Sequence, residues 1–220
     1  SIIFADQLLD LELSNFNLCI ITNNKLNFNE KYKNIFLVKD LSKAYNSIIN
    51  SLYHHEDCLS YSDTFENKNG SFISKLSFVD KSVLIGKNCV IGRGVKIGKN
   101  CILGQNVFVG KNVKIGDNCK LISNVNISGN TTIGNDNNFY PFSSIGTTPQ
   151  DLKYKGEETF LEIGNNNEIR EGSTINRGTI QEGGKTVIGS NNLFMAYTHV
   201  AHDSILEDDI VMTNNAGVAG

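Results

Sequence analysis

Along most of the chain, hydrophobic residues return at every sixth position. From Val79 the series runs Val79, Ile85, Ile91, Ile97, Leu103, Val109, Ile115, Leu121, Ile127, Ile133, Phe139 and Ile145. Glycine often follows directly, as at Gly86, Gly92, Gly98, Gly104, Gly110, Gly116, Gly134 and Gly146. Four positions after each anchor stands a small or slim residue: Val83, Cys89, Val95, Cys101, Val107, Val113, Cys119, Val125 and Thr131. Asn88, Asn100, Asn106, Asn112, Asn118, Asn124 and Asn130 share one further phase. A helix repeats every 3.6 residues and a strand every 2, so neither alone explains this pattern. Short strands joined by tight corners do, with one buried anchor per strand and Asn or Gly where φ turns positive. Three hexads close one triangular coil. Anchors three hexads apart then stack at about the 4.8 Å strand spacing, which predicts a parallel β-helix.

The six-residue clock stops over 147–162 and resumes at Ile163, Ile169 and Ile175. It breaks again over 180–187, then runs Ile188, Phe194, Val200, Leu206, Met212, Val218. Interruptions in a repeat map to loops on one face, often the binding face. The candidate loops are 147–160, TTPQDLKYKGEETF, and 180–186, IQEGGKT. The last residues still follow the repeat. Because a terminal coil needs a polar cover, a longer natural chain is expected beyond Gly220.

The clock is absent from the first seventy residues. FNLCIIT (16–22) and NIFLVK (34–39) read as short strands. Asp40 is an N-cap for a helical stripe of Leu41, Ala44, Tyr45, Ile48, Ile49 and Leu52. Residues 54–72, rich in Asn, Ser and Lys, read as linker or loop. The expected fold is therefore mainly β: a β-helix domain over 73–220, preceded by a small α/β N-terminal domain and linker over 1–72.

Composition narrows the function classes. The 220 residues carry a formal net charge of −3, with 20% charged and 40% apolar residues. That is a globular composition, not a disordered one. A pI near 5.8 argues against a nucleic-acid platform, which needs a basic face. No apolar run approaches the ~18 residues of a membrane span, and no basic-then-apolar signal layout is seen. The five cysteines, Cys19, Cys58, Cys89, Cys101 and Cys119, form no CxxC pair and no zinc spacing. Their odd number fits a reducing compartment, so a cytoplasmic location is expected. Cys89, Cys101 and Cys119 fall on the inward phase and read as small core residues. The 30 Asn and 20 Gly suit a fold with many tight corners.

Candidate chemistry is concentrated in one segment. Of four histidines, His54 and His55 end the predicted helix, where positive charge suits the dipole. His199 and His202 lie in AYTHVAHDS, beside Asp203. A histidine is the natural general base for a hydroxyl, and a nearby carboxylate can hold its tautomer. Adjacent strand residues face opposite ways, so Asp203 reaches His202 only if the backbone turns there. Taken alone, HxxHD leaves open a catalytic pair or two corner residues. A metal site of the three-histidine kind is not supported, since the pair offers at most two ligands per chain.

The segments SSIGTTPQDLKYKGEET, EIGNNNEIREGSTINRGT, GSNNLFMAYTHVAHD and NNAGVAG resemble the UDP-N-acetylglucosamine O-acyltransferases of lipid A biosynthesis. The resemblance implies a left-handed β-helix. It also implies a homotrimer whose reactions occur between subunits. The implied reaction transfers a 3-hydroxyacyl group from acyl carrier protein to the 3-hydroxyl of UDP-N-acetylglucosamine. It uses no metal and no cofactor besides the carrier's thioester. It assigns His202 as general base, Asp203 as its orienting partner and His199 as a substrate contact. Gln150, Asp151 and Lys153 would contact nucleotide sugar or acyl product, Leu152 would lie beside the acyl chain, and the Gly220 N–H would face the oxyanion. The N-terminal segments SIIFAD, NLCIIT and IFLVKDLSKAYNSIINSL instead resemble the UDP-3-O-acylglucosamine N-acyltransferases. In that family the domain binds uridine through an aromatic and an Asn-Pro-x-Tyr segment. The resemblance sets Phe4 at the aromatic, while QLLD lacks the Pro and Tyr. Two alternatives stay open: N-acylation of UDP-3-O-acylglucosamine, and a non-catalytic trimeric scaffold that binds nucleotide sugar.

Overall fold

The computed structural model describes residues 2–4, 19–22, 34–38, 40, 44 and 64–220. The chain divides into two compact units, Ser1–His55 and Glu56–Gly220. In the first, Ile2–Phe4, Cys19–Thr22 and Asn34–Leu37 form a parallel sheet in that order. The last two strands fall where the β-rich runs predict them. Ala44 is helical, its N–H donating to the Asp40 carbonyl at 3.1 Å. The rest of the predicted helix, with His54 and His55, lies outside the described residues.

The second unit is a triangular parallel β-helix. Its first sheet contains Ser71–Ser74, Val90–Ile91, Phe108–Val109, Asn126–Ile127, Ser144–Thr147, Thr174–Asn176, His199–Val200 and Gly217–Val218. The second runs from Phe78–Val79 to Ile205–Leu206, and the third from Leu84–Ile85 to Val211–Met212. Each coil visits the sheets in turn, and equivalent residues pair in parallel register 18 positions apart. Every anchor from Ile91 to Met212 is buried, while Val79, Ile85 and Val218 at the two ends are half-buried. Close stacking excludes side chains at some corners. A Cβ on Gly104 would overlap the Ile122 carbonyl oxygen.

The corners adopt positive φ as the Asn phase predicts, from Asn88 at 58° to Asn124 at 50°. Asn130 departs from it. Gly129 takes the positive φ, at 65°, and Asn130 opens the four-residue strand Asn130–Ile133. The reading of 54–72 as loop is also corrected at its end. Phe65–Lys68 and Ser71–Ser74 form a hairpin, and the second strand joins the first sheet beside Val90–Ile91. The overlooked signal is Asn69-Gly70, both at positive φ, the pair a two-residue hairpin turn requires.

Cys89, Cys101 and Cys119 are buried free thiols, as their phase predicts. The hydrogen bond to Cys101, then burial, pushes the Cys119 thiol well above its ordinary range, and burial also raises Cys89. Further along the column of Cys101 and Cys119, buried asparagines take over. Asn167 donates its N–H to Asn137 Oδ1 at 2.9 Å, and its Nδ2 to the Gly189 carbonyl at 3.0 Å. Its Oδ1 accepts the Asn192 N–H at 2.9 Å. Asn167→Ala strands the Asn192 donor and the Gly189 acceptor away from water. Stability is expected to fall by about 2–3 kcal/mol, read from the urea midpoint.

Candidate active site

Both insertions leave the same corner. Residues 148–159 connect Ser144–Thr147 in the first sheet to Phe160–Ile163 in the second, and 177–184 connect Thr174–Asn176 to Lys185–Ile188. The first insertion lengthens the register step from 18 to 30 residues, and the second to 25. The second begins and ends earlier than the expected 180–186, because the preceding strand stops at Asn176 and Lys185 and Thr186 already belong to the next one. On the next coil that corner is Ala201–Ser204, containing His202 and Asp203, and on the one after it is Ala219–Gly220. Stacking thus brings together segments that are far apart in sequence.

Asp203 has φ of 63°, the turn that lets neighbouring residues face each other. His202 Nδ1 lies 2.7 Å from Asp203 Oδ2. An ionised carboxylate only accepts, so Nδ1 carries a proton, and in the neutral ring Nε2 keeps its lone pair. Asp203 is 2% exposed at its side chain and His202 22%, which leaves the ring accessible beside a buried anion. The anion is well held: Thr179 donates its N–H to Oδ1 and its hydroxyl to Oδ2, each at 2.6 Å. The Asp203 N–H donates to Thr186 Oγ1 at 2.9 Å. Gly220 lies against the same ring, since a Cβ there would meet His202 Cε1 and Nδ1 at 2.8 Å and crowd its carbonyl oxygen.

His199 is on the strand entering this corner. Its Nδ1 lies 2.7 Å from Thr174 Oγ1 on the preceding coil. The larger loop is closed by its own bonds: Asp151 Oδ1 accepts the Lys153 N–H at 2.9 Å, and the Asp151 carbonyl accepts the Tyr154 N–H. Gln150, Leu152 and Lys153 are exposed, Leu152 at 96%, and Asp151 is half-buried. Among the described residues none of these four shares a hydrogen bond with His202 or Asp203. The loop is instead pinned at its base by Arg177, which is 1% exposed. Arg177 donates to the Gly146 carbonyl at 3.0 Å and to the Tyr154 hydroxyl at 2.9 Å. Asn176 Nδ2 adds bonds to Thr147 Oγ1 and the Thr148 carbonyl.

Thr179, Arg177 and Tyr154 are therefore structural members of the site that motif reading did not single out. Arg177 and Thr179 both lie in the quoted run INRGT, but their contacts carry no local signal, because Tyr154 and Asp203 are 23 and 24 residues away. Among the described residues no group of three or more His, Cys, Asp or Glu is placed to hold a metal ion.

Fold and corner together define a solenoid of six-residue repeats with two loops leaving one corner. The family model described as Bacterial transferase hexapeptide (six repeats) matches residues 77–111. More particularly, the chain is similar to the acyl-[acyl-carrier-protein]–UDP-N-acetylglucosamine O-acyltransferase of Saccharophagus degradans. The two are 57% identical over 84 residues, which make up 38% of this chain and 33% of that protein. The enzyme of the same name from Stutzerimonas stutzeri is 52% identical over 88 residues, 40% of this chain and 34% of that one. The match thus spans about a third of the length of these curated relatives. Among solved structures, the UDP-N-acetylglucosamine O-acyltransferase (LpxA) of Moraxella catarrhalis superposes with a TM-score of 0.56 at 44% identity. The LpxA of Acinetobacter baumannii does so with 0.54 at 42%. Each alignment covers 70% of this chain and 52% of the other.

Proposed function

We propose that the protein transfers a 3-hydroxyacyl group from acyl carrier protein to the 3-hydroxyl of UDP-N-acetylglucosamine, the reaction that opens lipid A biosynthesis. The observation that carries this reading is the His202–Asp203 pair, with the ring 22% exposed, set among segments similar to O-acyltransferases. His202 Nε2 takes the proton of the sugar hydroxyl as that oxygen attacks the thioester carbonyl. The new C–O bond leaves a tetrahedral oxyanion, to which the Gly220 N–H donates. The C–S bond then breaks, and the imidazolium returns its proton to the departing thiolate. A thioester is already activated, so base catalysis, positioning and an oxyanion donor suffice.

Gln150, Asp151 and Lys153 grip the nucleotide sugar or the product, Leu152 lies along the acyl chain, and His199 contacts substrate. The protein works as a homotrimer in the cytoplasm, with the acyl carrier's phosphopantetheine arm as donor and no separate cofactor. The division into 1–72 and 73–220 assigns the chemistry to the second part. Among the described residues no helix is long and apolar enough to cross a membrane.

The test is an acyl-transfer assay on the full-length protein. It offers 3-hydroxyacyl carrier protein with UDP-N-acetylglucosamine or with UDP-3-O-acylglucosamine. Turnover of the first acceptor is expected. Turnover of the second alone would mean that the N-terminal segment, not DLKY and HVAHD, reports the reaction. Binding without turnover would leave a scaffold. Gly220→Ala checks the oxyanion corner: the added methyl would meet the His202 carbonyl oxygen and, at 2.8 Å, its ring, so the corner must shift, and kcat is expected to fall about thirtyfold or more.

A further inference from the structure

We infer that Thr179 is a positioning residue that locks Asp203, and that the second insertion exists to present it. This rests on the reading of His202 as the base. Loops that interrupt a solenoid commonly bind ligands; here residues 177–179 at the base are buried while the turn at 180–183 is exposed. Thr179 precedes the 3-10 turn Ile180–Glu182 and is buried. Its carbonyl accepts the Gly184 N–H at 2.7 Å, so the loop closes on Thr179 itself. Gly183 and Gly184, at φ of 97° and 79°, complete the return. Thr186, just past the loop, receives the Asp203 N–H. Both ends of the insertion therefore hold the one residue.

The chemistry explains why such a hold is needed. Asp203 occupies the left-handed conformation shared by the corners of this solenoid, which a short polar residue tolerates, so the backbone alone does not fix where its carboxylate points. A carboxylate's terminal torsion is broad, so one hydrogen bond does not fix its plane. Thr179 donates to both oxygens from two atoms of one residue, which does. Oδ2 is then left in place for the His202 Nδ1–H. A neutral imidazole otherwise exchanges its proton between nitrogens, and the Nε2–H form has no lone pair for the sugar hydroxyl. The Thr179 hydroxyl supplies half of this hold and its N–H the other half. Removing the hydroxyl should therefore cost less than removing the carboxylate's charge.

Thr179→Val keeps shape and backbone bond but deletes the hydroxyl. It is expected to lower kcat about 10- to 100-fold with KM for both substrates within twofold. Thr179→Ser should restore kcat to within threefold of the parent. In an Asp203→Asn background, Thr179→Val should add less than a twofold further loss, because both act through one carboxylate. A second readout needs no turnover. The ¹⁵N shifts of the neutral His202 ring should report the Nδ1–H tautomer in the parent and a mixture in Thr179→Val, with unchanged circular dichroism. An unchanged tautomer in Thr179→Val, or losses that multiply in the double variant, would overturn the assignment. An inactive parent that shows the tautomer shift would sink the acyltransferase reading and leave the role of Thr179 standing.

Discussion

Replacing His202 with alanine is expected to cut kcat for acyl transfer about a thousandfold while KM for the nucleotide sugar changes little. The ring supplies the proton acceptor that only the transition state needs, and general bases contribute about 10² to 10⁴ in rate. Asp203→Asn should fall between this variant and the parent: it retains a group of the same size but loses the charge and one of two acceptor oxygens, so Thr179 and the His202 Nδ1–H compete for the one that remains. The measurement is a steady-state comparison of purified variants at fixed carrier concentration. A His202→Ala protein that turned over at the parental rate would remove the base, and with it the mechanism.

Arg177→Met is expected to act through binding. The buried guanidinium joins the Gly146 carbonyl of the solenoid to the Tyr154 hydroxyl of the large loop. Methionine fills similar space but donates nothing, so it leaves a buried carbonyl without that donor and the loop without its pin. Stability should fall by about 3 kcal/mol, the cost of one or two orphaned groups. KM for the nucleotide sugar should rise tenfold or more, with a smaller effect on kcat, because Gln150, Asp151 and Lys153 lose a common base. Protease cleavage within 148–159 should also accelerate. An unchanged KM would make the loop a surface excursion with no part in binding.

Much of this molecule can be read from the order of its residues. The anchors Ile91 to Met212, the inward cysteines, the asparagine corners and the start and end of the large loop all follow from a period of six. Every coil repeats one local rule, so the pattern is written many times over. The hairpin at 65–74 shows the limit of reading by period. It carries no clock, and its signal was the single dipeptide Asn69-Gly70 within a polar stretch.

The site divides along the same line. Chemistry of residue type marked out His202 and Asp203, and similarity marked out Gln150 to Lys153 and Gly220. Whether His202 and Asp203 could meet at all was decided by the backbone, because a φ of 63° at Asp203 overrides the alternation of a strand. That Thr179 holds the carboxylate, and Arg177 the loop, was decided by stacking alone. A sequence records how far apart two residues lie along the chain. In a solenoid, contact depends on the length of the coil between them, and two insertions changed that length from 18 to 30 and 25 residues. The sequence by itself thus determined the coil and its core, and marked His202 and Asp203 as candidates for the chemistry. The tertiary structure decided which distant residues fall on one corner, because only the summed lengths of successive coils bring them into register.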